Sequence, residues 1–391
     1  MKLGMFALMF AVLTTPLFAQ DEAGGATAKG AKVDITGKGY TAAYVIEPTT
    51  RRVLFAENEH MPLPTASMAK MMTLLITMDE IKAGNLQWDT PITVSAKASK
   101  MGGSQIYLKA ATVWPVKNLV IATMIQSAND AAQALGEKIG GSSEAFADMM
   151  NRKAQELGLE HSKFFDPHGL PDPSRNNVQC AHDLAITGIE LMKHPFMRQL
   201  AVIPEMELRN ATLQRIYNPN HLVNPRKLNY MQDATGIKTG YSGPAGYCIT
   251  ASARRNNMDV VAVVMGAKPS NGPLSSFGIA SRLMNEAFST YQMATPLKKG
   301  AAVGQATVTG GQAASVPVIA AQDVTALVKR GEEKDIKVEF APGATVNAPV
   351  KAGQTIGSIV VTAGGKTLSK VPAIAGGAVE KQGWWKSFWP F

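Results

Sequence analysis

The chain has 391 residues, which predicts two or three domains of ordinary size. Hydrophobic residues make up 46% of it and charged residues 18%, a composition that excludes both a disordered chain and a multi-span membrane protein. Lys and Arg number 39 against 30 Asp and Glu, so the net charge of +9 favours anionic partners, while two cysteines are too few for a disulfide-built scaffold or a zinc site with four cysteine ligands.

Residues 1–19 have the pattern of a secretory signal peptide. Lys2 precedes an apolar run from Leu3 to Leu13, and Pro16 separates this run from the small residue Ala19. The run is too short to span a bilayer comfortably, which favours cleavage after Ala19 over an uncleaved N-terminal anchor. Because an exported chain does not meet DNA or RNA, we expect no nucleic acid among its partners.

The pattern of the next residues predicts a linker over 20–38 and a mixed domain over 39–294. Apolar residues alternate in the predicted strands and recur at helical spacing in the predicted helices. The strands cover residues 40–46, 52–56, 246–253 and 258–265, and the helices cover residues 66–82, 116–139, 144–157, 181–193 and 275–291.

The composition changes near residue 295, and the segment 295–382 predicts a small all-β domain. It consists of short β-patterned runs separated by Gly and Pro turns. These runs cover residues 306–309, 316–319, 336–340, 355–361 and 367–371.

The last residues, 383–391, are rich in aromatic side chains. Three of the five tryptophans lie there, Trp384, Trp385 and Trp389, together with two phenylalanines and Lys386. Aromatic rings beside a cation suit the headgroup level of a bilayer. We therefore predict a tail that associates with a membrane surface; the alternative is a tail that docks on its own domain.

Three short motifs indicate chemistry when they are taken together and in order. They are Ser67-Met68-Ala69-Lys70, Ser127-Ala128-Asn129 and Lys238-Thr239-Gly240. Ser67 and Lys70 are three residues apart at the start of a predicted helix, so they share a face. A lysine with a lowered pKa can activate a serine hydroxyl, and the helix N-terminus adds positive charge where an oxyanion would form.

The other two motifs fit the remaining parts of such a site. Ser127 and Asn129 are predicted on a loop between helical stretches. Lys238-Thr239-Gly240 is predicted at the start of a strand, where the cation and the hydroxyl can hold a substrate carboxylate and Gly240 lets a substrate backbone come close. Each motif occurs by chance in many chains, but the ordered set indicates a nucleophilic site.

The ordered set resembles the motifs of the penicillin-recognising serine peptidases. The chain as a whole resembles the low-molecular-mass D-alanyl-D-alanine carboxypeptidases, the type-5 penicillin-binding protein group. Other segments that carry the resemblance are residues 64–66, 102–104, 166–170, 183–185 and 236–237. It implies an α+β fold: a β-lactamase/transpeptidase-like catalytic domain, with an antiparallel sheet flanked by helices, followed by a small all-β sandwich domain.

The resemblance also implies a two-step acyl transfer without metal or cofactor. Ser67 attacks the carbonyl between the two D-alanines of a peptidoglycan stem pentapeptide, with Lys70 as the general base. Ser127, helped by Lys238, relays a proton to the leaving amine, and water then hydrolyses the acyl-enzyme. β-Lactams are expected to trap Ser67 as an ester.

The same resemblance assigns substrate contacts and a location. Asn129 is expected to bind the substrate amide, Thr239 the terminal carboxylate, and the backbone N–H groups of Ser67 and Tyr241 the oxyanion. The expected partners are peptidoglycan stem peptides, β-lactams and an anionic membrane surface. The expected place is the periplasm, at the outer face of the inner membrane, with a role in cell-wall maturation and cell shape.

One residue departs from the family pattern. Where the family commonly has an arginine upstream of Lys-Thr-Gly, this chain has Pro219 within Tyr217-Asn218-Pro219-Asn220-His221. Carboxylate binding is therefore expected to depend more on Lys238, Thr239 or another cation such as Arg226.

Several alternatives remain at this point. A β-lactamase would use the same motifs, although no E-x-x-L-N segment is found, and a peptidoglycan-binding protein with a decayed site would need them altered. A zinc peptidase is disfavoured because the six histidines show no H-x-x-H spacing. His168 is expected to have a structural role, and the methionines of the Ser67 helix are expected to pack in the core. Cys180 and Cys248 either form a disulfide or remain free thiols, and the sequence does not decide between the two.

The aromatic tail leads to a direct test. Removal of residues 384–391 should release the protein from membranes, because the rings that would lie among the lipid headgroups are then absent. Sedimentation of the full and truncated chains with membranes measures this. Equal sedimentation of the two chains would contradict the prediction.

Overall fold

The computed structural model describes residues 39–210, 213–272, 274–343 and 345–383. The predicted signal peptide, the predicted linker 20–38 and residues 384–391 of the predicted tail lie outside the described residues. Within the described part of the chain, no helix is long and apolar enough to cross a membrane.

The first part of the chain contains strands and helices in alternation. Its strands are β1 Ala42–Glu47, β2 Arg52–Glu57, β3 Leu63–Pro64, β4 Pro91–Thr93, β5 Val113–Pro115, β6 Val178–Gln179, β7 Glu205–Arg209, β8 Leu213–Tyr217, β9 Ala234–Ser242, β10 Gly246–Arg255 and β11 Met258–Ala267. Its helices are α1 Lys70–Lys82, α2 Ala96–Ser99, α3 Val116–Ile125, α4 Asn129–Gly140, α5 Ser143–Glu156, α6 Ala181–Leu191, α7 Pro195–Ala201 and α8 Ser276–Thr290. Short 3₁₀ turns cover Ala66–Ala69 and His221–Val223.

A five-stranded antiparallel sheet in the order β2-β1-β11-β10-β9 forms the centre of this part. The two predicted hairpins are confirmed, since β1 pairs with β2 and β10 pairs with β11. Alternate residues of β11 face opposite sides, as the period of a strand requires. Val261, Val263 and Met265 join the larger core with α1 and α6, whereas Val260, Ala262 and Val264 join the smaller core with α8.

The helix predicted over 116–139 is wrong as one continuous element, because it breaks between α3 and α4. Ser127 has a left-handed φ of 59°, which a helix interior does not allow. The amide of Asn129 donates to the carbonyl of Ser104 at 2.7 Å instead of continuing the helical ladder. The apolar pattern runs through the break, whereas the loop predicted at Ser127 from its motif lies where the two helices separate.

In the second part of the chain, the described residues form strands and one 3₁₀ turn, Glu333–Asp335. Its strands are β12 Tyr291–Leu297, β13 Ala302–Thr309, β14 Ser315–Ala320, β15 Val324–Lys329, β16 Lys337–Pro342, β17 Val346–Asn347, β18 Thr355–Ala363 and β19 Lys366–Ala375. Six of them form a sheet in the order β16-β18-β19-β14-β13-β17, and β12 pairs with β15 beside it. Val324 and Ala326 of β15 share a core with Val316, Val318 and Ile359 of the sheet.

The junction of the two parts is a packed contact. The predicted domain boundary, 294/295, falls inside β12, and the exact division stays a prediction. Leu327 of β15 belongs to the core beneath α8, and the guanidinium of Arg52 donates to its carbonyl at 3.1 Å. The predicted helix 275–291 ends at Thr290, because Tyr291 already pairs with Lys329 as the first residue of β12.

Helix α6 lies close against the central sheet at Gly188. A Cβ atom at this position would be 3.0 Å from Thr250 Cγ2 and 3.1 Å from Ile237 Cδ1. Ile237 directly precedes Lys238 in β9. Because Gly188 has no side chain, α6 can pack close to β9, the strand that contains Lys238-Thr239-Gly240.

We predict that Gly188→Val lowers the free energy of unfolding, because overpacking of a tight contact typically costs about 1–3 kcal/mol. Gly243→Val is the matched control, since a Cβ at Gly243 has no atom within 4 Å. Thermal and denaturant unfolding of both variants measures the difference. A Gly188→Val protein as stable as the control would contradict this account of the contact.

Candidate active site

Ser67 and Lys70 are in direct contact at the start of α1. The Lys70 Nζ atom lies 2.8 Å from Ser67 Oγ and donates to the carbonyl of His168 at 2.6 Å. Lys70 is fully buried, whereas Ser67 is half-buried and lines an open cleft. Ser67 lies in a 3₁₀ turn rather than in the predicted α-helix. Side chains three residues apart lie above one another in a 3₁₀ turn, which brings Ser67 and Lys70 within hydrogen-bond distance.

The loop that supplies the His168 carbonyl is held by its own hydrogen bonds. An Asp166 carboxylate oxygen accepts from the amides of His168 and Gly169, and Asn177 Nδ2 donates to the Asp166 carbonyl at 2.9 Å. Gly169 has a φ of 77°, and a Cβ there would collide with the carbonyl of Ala66. His168 thus acts through its backbone, a position that the sequence motifs did not indicate.

Ser127 and Lys238 form the second polar contact of the site. Lys238 Nζ donates to Ser127 Oγ at 2.7 Å and to the Thr239 carbonyl at 3.3 Å. Lys238 is only 2% exposed. The left-handed backbone at Ser127 aims its short side chain at this lysine, and a non-glycine residue keeps such a conformation only where its surroundings enforce it.

Burial changes the protonation of both lysines. The pKa of Lys70 lies well below its usual value, first because of burial and then because of the nearby Lys238 cation, while Asp166 and Asp130 oppose the shift. Burial lowers the pKa of Lys238 to about 7. Both causes favour the neutral amine, so Lys70 loses its proton more readily than an exposed lysine does.

Asn129 is the first residue of α4 rather than a loop residue, which corrects the prediction. Its Nδ2 donates to the carbonyl of Gly102 at 2.7 Å. This contact fixes which side-chain atom is the oxygen, because only the NH₂ group can donate. The oxygen, Oδ1, is buried and has no hydrogen-bond partner among the described residues. Because buried polar atoms are usually hydrogen-bonded, this oxygen can accept an N–H group from a bound ligand.

Asp130, which directly follows Asn129, fixes the 102–108 segment, the wall of the cleft beside Asn129. Its carboxylate accepts from the amides of Ile106 at 3.1 Å and of Leu108 at 3.0 Å. Burial raises its pKa, and these backbone hydrogen bonds oppose that rise. The contacts tie the 102–108 segment to α4, so this carboxylate holds the wall in place.

Lys238-Thr239-Gly240 lies in the middle of β9 and not at the start of a strand, because β9 pairs with β10 from Ala234 onward. A Cβ on Gly240 would lie 2.8 Å from the Thr65 carbonyl and 3.2 Å from Met68 N. The space that a side chain would need is thus filled by the Ser67 turn. The role of Gly240 in admitting a substrate backbone stays a prediction.

Tyr241 follows on β9 at the edge of the cleft. Its side chain is 60% exposed and lies against Tyr247 of β10, with 4.3 Å between the ring centroids. Thr239 is half-buried and lines the same cleft, with its hydroxyl free of hydrogen bonds within the described chain. The structure thus brings Ser67, Ser127, Asn129, Thr239 and Tyr241 to one cleft, with Lys70 and Lys238 buried behind the two serines.

The cleft has a volume of about 890 Å³ and a positive lining. Arg226, Lys227 and Lys268 line it, and none of its described lining residues is Asp or Glu. Arg226 forms a 2.6 Å ion pair with Glu205, whereas the exposed Lys268 has no ion pair within the described chain. Pro219, the position where the resemblance leads us to expect an arginine, also lines the cleft.

Two other predictions concern the cysteines and methionines. Cys180 and Cys248 are both buried free thiols, so the two cysteines do not form a disulfide in this structure. Cys180 stands at the N-terminus of α6 and Cys248 in β10. The predicted core methionines, Met68, Met71, Met72 and Met78, are all buried.

Comparisons with known proteins agree on one family. A family model described as D-alanyl-D-alanine carboxypeptidase matches residues 29–269, and one described as penicillin-binding protein 5, C-terminal domain, matches residues 291–381. The chain is 33% identical over 344 residues to D-alanyl-D-alanine carboxypeptidase DacF of Bacillus subtilis, covering 88% of this chain and 86% of that protein. It is 30% identical over 349 residues to DacC of Escherichia coli, with 87% and 84% covered.

Solved structures show the same likeness. The crystal structure of penicillin binding protein 5 from Haemophilus influenzae matches with a TM-score of 0.73 and 26% identity, covering 88% of this chain and 98% of that one. The match extends over both parts of the chain, which agrees with the α+β fold followed by an all-β domain.

The two buried lysines lead to a prediction on pH dependence. Lys238→Met removes the cation that lowers the pKa of Lys70, so that pKa should rise. The acid limb of the rate of acylation by a β-lactam should then move to higher pH, because more base is needed to deprotonate Lys70. The second-order acylation rate constant, measured across pH, reports this shift separately from any fall in the maximal rate.

Lys268→Met is the control, because it removes an exposed cation of the same cleft. Its acid limb should move less than that of Lys238→Met. An acid limb that stays in place or moves to lower pH in Lys238→Met would contradict the coupling of the two lysines.

Proposed function

The chain belongs to the D-alanyl-D-alanine carboxypeptidase family, and we infer that it removes the terminal D-alanine from peptidoglycan stem pentapeptides through an acyl-enzyme on Ser67. The observation that carries this inference is the 2.8 Å contact between Ser67 Oγ and the buried Lys70 amine. A serine hydroxyl needs such a base to become a nucleophile at neutral pH.

In the first step, neutral Lys70 takes the proton of Ser67. Its amine keeps one N–H on the His168 carbonyl and turns its lone pair toward the serine hydroxyl. Ser67 Oγ then forms a bond to the carbonyl carbon between the two D-alanines. The oxyanion that develops is stabilised by the backbone N–H groups of Ser67 and Tyr241.

In the second part of acylation, the C–N bond breaks and D-alanine leaves. The leaving amine needs a proton, which Ser127 supplies. Lys238, 2.7 Å from Ser127 Oγ, replaces that proton or stabilises the charge left on the oxygen. The proton that Lys70 took from Ser67 then passes to the Ser127–Lys238 pair, which restores that pair and leaves Lys70 neutral. Lys70 next takes a proton from the water that attacks the ester and returns it to Ser67 Oγ as the ester bond breaks, so Ser67 is regenerated.

Recognition of the substrate uses the polar atoms that the fold leaves unpaired. Asn129 Oδ1 accepts an amide N–H of the stem peptide, which satisfies an acceptor that is otherwise buried without a partner. The Thr239 hydroxyl binds the terminal carboxylate. Lys268 supplies positive charge that no described carboxylate neutralises, and Arg226 supplies less because Glu205 pairs with it. β-Lactams place the same carboxylate and acyl carbon in the site and acylate Ser67.

For the location, we propose export to the periplasm and attachment to the outer face of the inner membrane. The signal-peptide pattern of residues 1–19 and the aromatic residues 384–391 support this proposal. An anionic membrane and wall also fit the net charge of +9. Trimming of stem peptides at this place links the enzyme to cell-wall maturation and cell shape.

The nucleophile is tested by Ser67→Ala. This variant should lose covalent labelling by a fluorescent penicillin and should release D-alanine from a pentapeptide muropeptide roughly a thousandfold or more slowly, as loss of a nucleophile typically causes. Ser99→Ala is the control, since Ser99 lies on α2 outside the cleft and its hydroxyl contacts only the Ala96 carbonyl. Labelling of Ser67→Ala at the wild-type rate would show that another residue is the nucleophile.

The same assay separates the two enzyme classes that share this site. A carboxypeptidase releases D-alanine and holds the β-lactam as a long-lived ester. Rapid β-lactam turnover without release of D-alanine would instead identify a β-lactamase and overturn the proposed function.

A further inference from the structure

A cluster of metal-binding side chains lies outside the substrate cleft. The ligand atoms of His60, Cys180 and His182 all lie within 4.8 Å of one another. His60 is exposed in the loop between β2 and β3, Cys180 is buried at the N-terminus of α6, and His182 is in the first turn of that helix. None of the three lines the cleft, and the acyl-transfer steps use none of them.

His182 has the carboxylate partner that metal-bound histidines usually have. Its Nδ1 lies 3.0 Å from a carboxylate oxygen of Asp183, and in the tautomer with the proton on Nδ1 the Nε2 atom is the one that can bind a cation. Asp183 is fixed in turn by the amide of His161 at 3.0 Å and the hydroxyl of Ser162 at 2.8 Å. Such a carboxylate behind a histidine is the usual outer support of a metal site.

A third imidazole stands beside the cluster. The ring of His60 lies 5.3 Å from that of His161 and 5.2 Å from that of His182, measured between centroids. Two of the six histidines of the chain, His60 and His182, thus meet at one thiol, and His161 lies beside His60. His60 and His182 come from different segments, and the fold brings them together without any local motif.

We propose that His60, Cys180 and His182 bind a borderline-soft divalent cation, Zn²⁺ in the first place, with His161 or water as the fourth ligand. Imidazole and thiolate are the ligands that zinc prefers. The thiol proton is released to solvent when the metal binds, so Cys180 enters as a thiolate and one proton leaves for each cation. The backbone amide of Asp183 donates to Cys180 Sγ at 3.4 Å and can keep this hydrogen bond when the sulfur binds the cation.

The geometry requires only a small movement. Zinc bonds of about 2.0–2.3 Å place tetrahedral ligands roughly 3.3–3.6 Å apart. The ligand atoms, which lie within 4.8 Å of one another, must therefore approach by at most roughly 1.2–1.5 Å, and the exposed side chain of His60 can rotate to do so. The backbone already brings the two segments together, since the His182 amide donates to the Glu59 carbonyl at 3.0 Å.

A bound cation would brace the segment that leads to the nucleophile. The loop of His60 continues into β3, which pairs with β6, and Leu63 lies opposite Gln179, next to Cys180. From β3 the chain enters the turn of Ser67. The cation therefore ties the start of α6 to the approach to Ser67 from outside the cleft.

The experiment uses the full chain, first stripped of metal with a chelator. Isothermal titration with ZnCl₂ should show one cation bound per chain, and His60→Ala and Cys180→Ser should each weaken the affinity at least tenfold. Serine at position 180 retains a capping side chain at the helix N-terminus, so this variant removes the soft ligand and not the cap. His194→Ala is the control, because His194 lies away from the cluster beside Asp79, and it should bind zinc as the wild type does.

Cobalt gives a second readout that folding defects do not imitate. Co²⁺ bound to the wild type should show a thiolate-to-metal charge-transfer absorption, which Cys180→Ser loses and Cys248→Ser keeps. Absence of stoichiometric zinc binding, equal loss of affinity in His194→Ala, or an absorption that survives Cys180→Ser would each overturn the proposal. The readouts do not depend on Ser67, so they stand apart from the proposed enzymatic function.

Discussion

The burial of the Lys70 amine against Ser67 is the constraint on which the rest of the site depends. An amine held away from water loses much of its preference for the charged state, and only then can it accept a proton from a serine. Full burial of this lysine is costly unless its donors are satisfied. Ser67 Oγ at 2.8 Å and the His168 carbonyl at 2.6 Å provide that satisfaction.

Two close approaches of the backbone and one left-handed residue place the reactive side chains of the site. Gly169 lets the loop of His168 reach the carbonyl of Ala66, and Gly240 lets β9 lie against the turn of Ser67. The left-handed conformation of Ser127 breaks a helix and turns its hydroxyl toward Lys238. The backbone at Gly169 and Ser127 departs locally from regular structure, and such departures are found where a binding or catalytic geometry is enforced by the surrounding fold. Gly240 instead lies within the regular pairing of β9 with β10. The central sheet and the helices packed on its two faces hold these backbone conformations in place.

Much of this could be predicted from the sequence, and what could not has physical reasons. The contact of Ser67 with Lys70 follows from a spacing of three residues, and the hairpins follow from alternation. The loop at Ser127 follows from its motif, whereas the apolar periodicity runs through residues 116–139 without a break, because periodicity reports burial and not backbone conformation. The role of His168 was also hidden, since any residue can offer a backbone carbonyl. The unpaired Asn129 oxygen depends on Gly102, a contact between segments that local patterns do not encode.

The most direct test of the account is the protonation of Lys70 itself. The side-chain nitrogen of Lys70, labelled with ¹⁵N and assigned by comparison with Lys70→Arg, can be followed by NMR across pH. We expect it to titrate well below the ordinary lysine value of 10.5, as burial beside Lys238 requires. A titration at the ordinary value would contradict Lys70 as the general base.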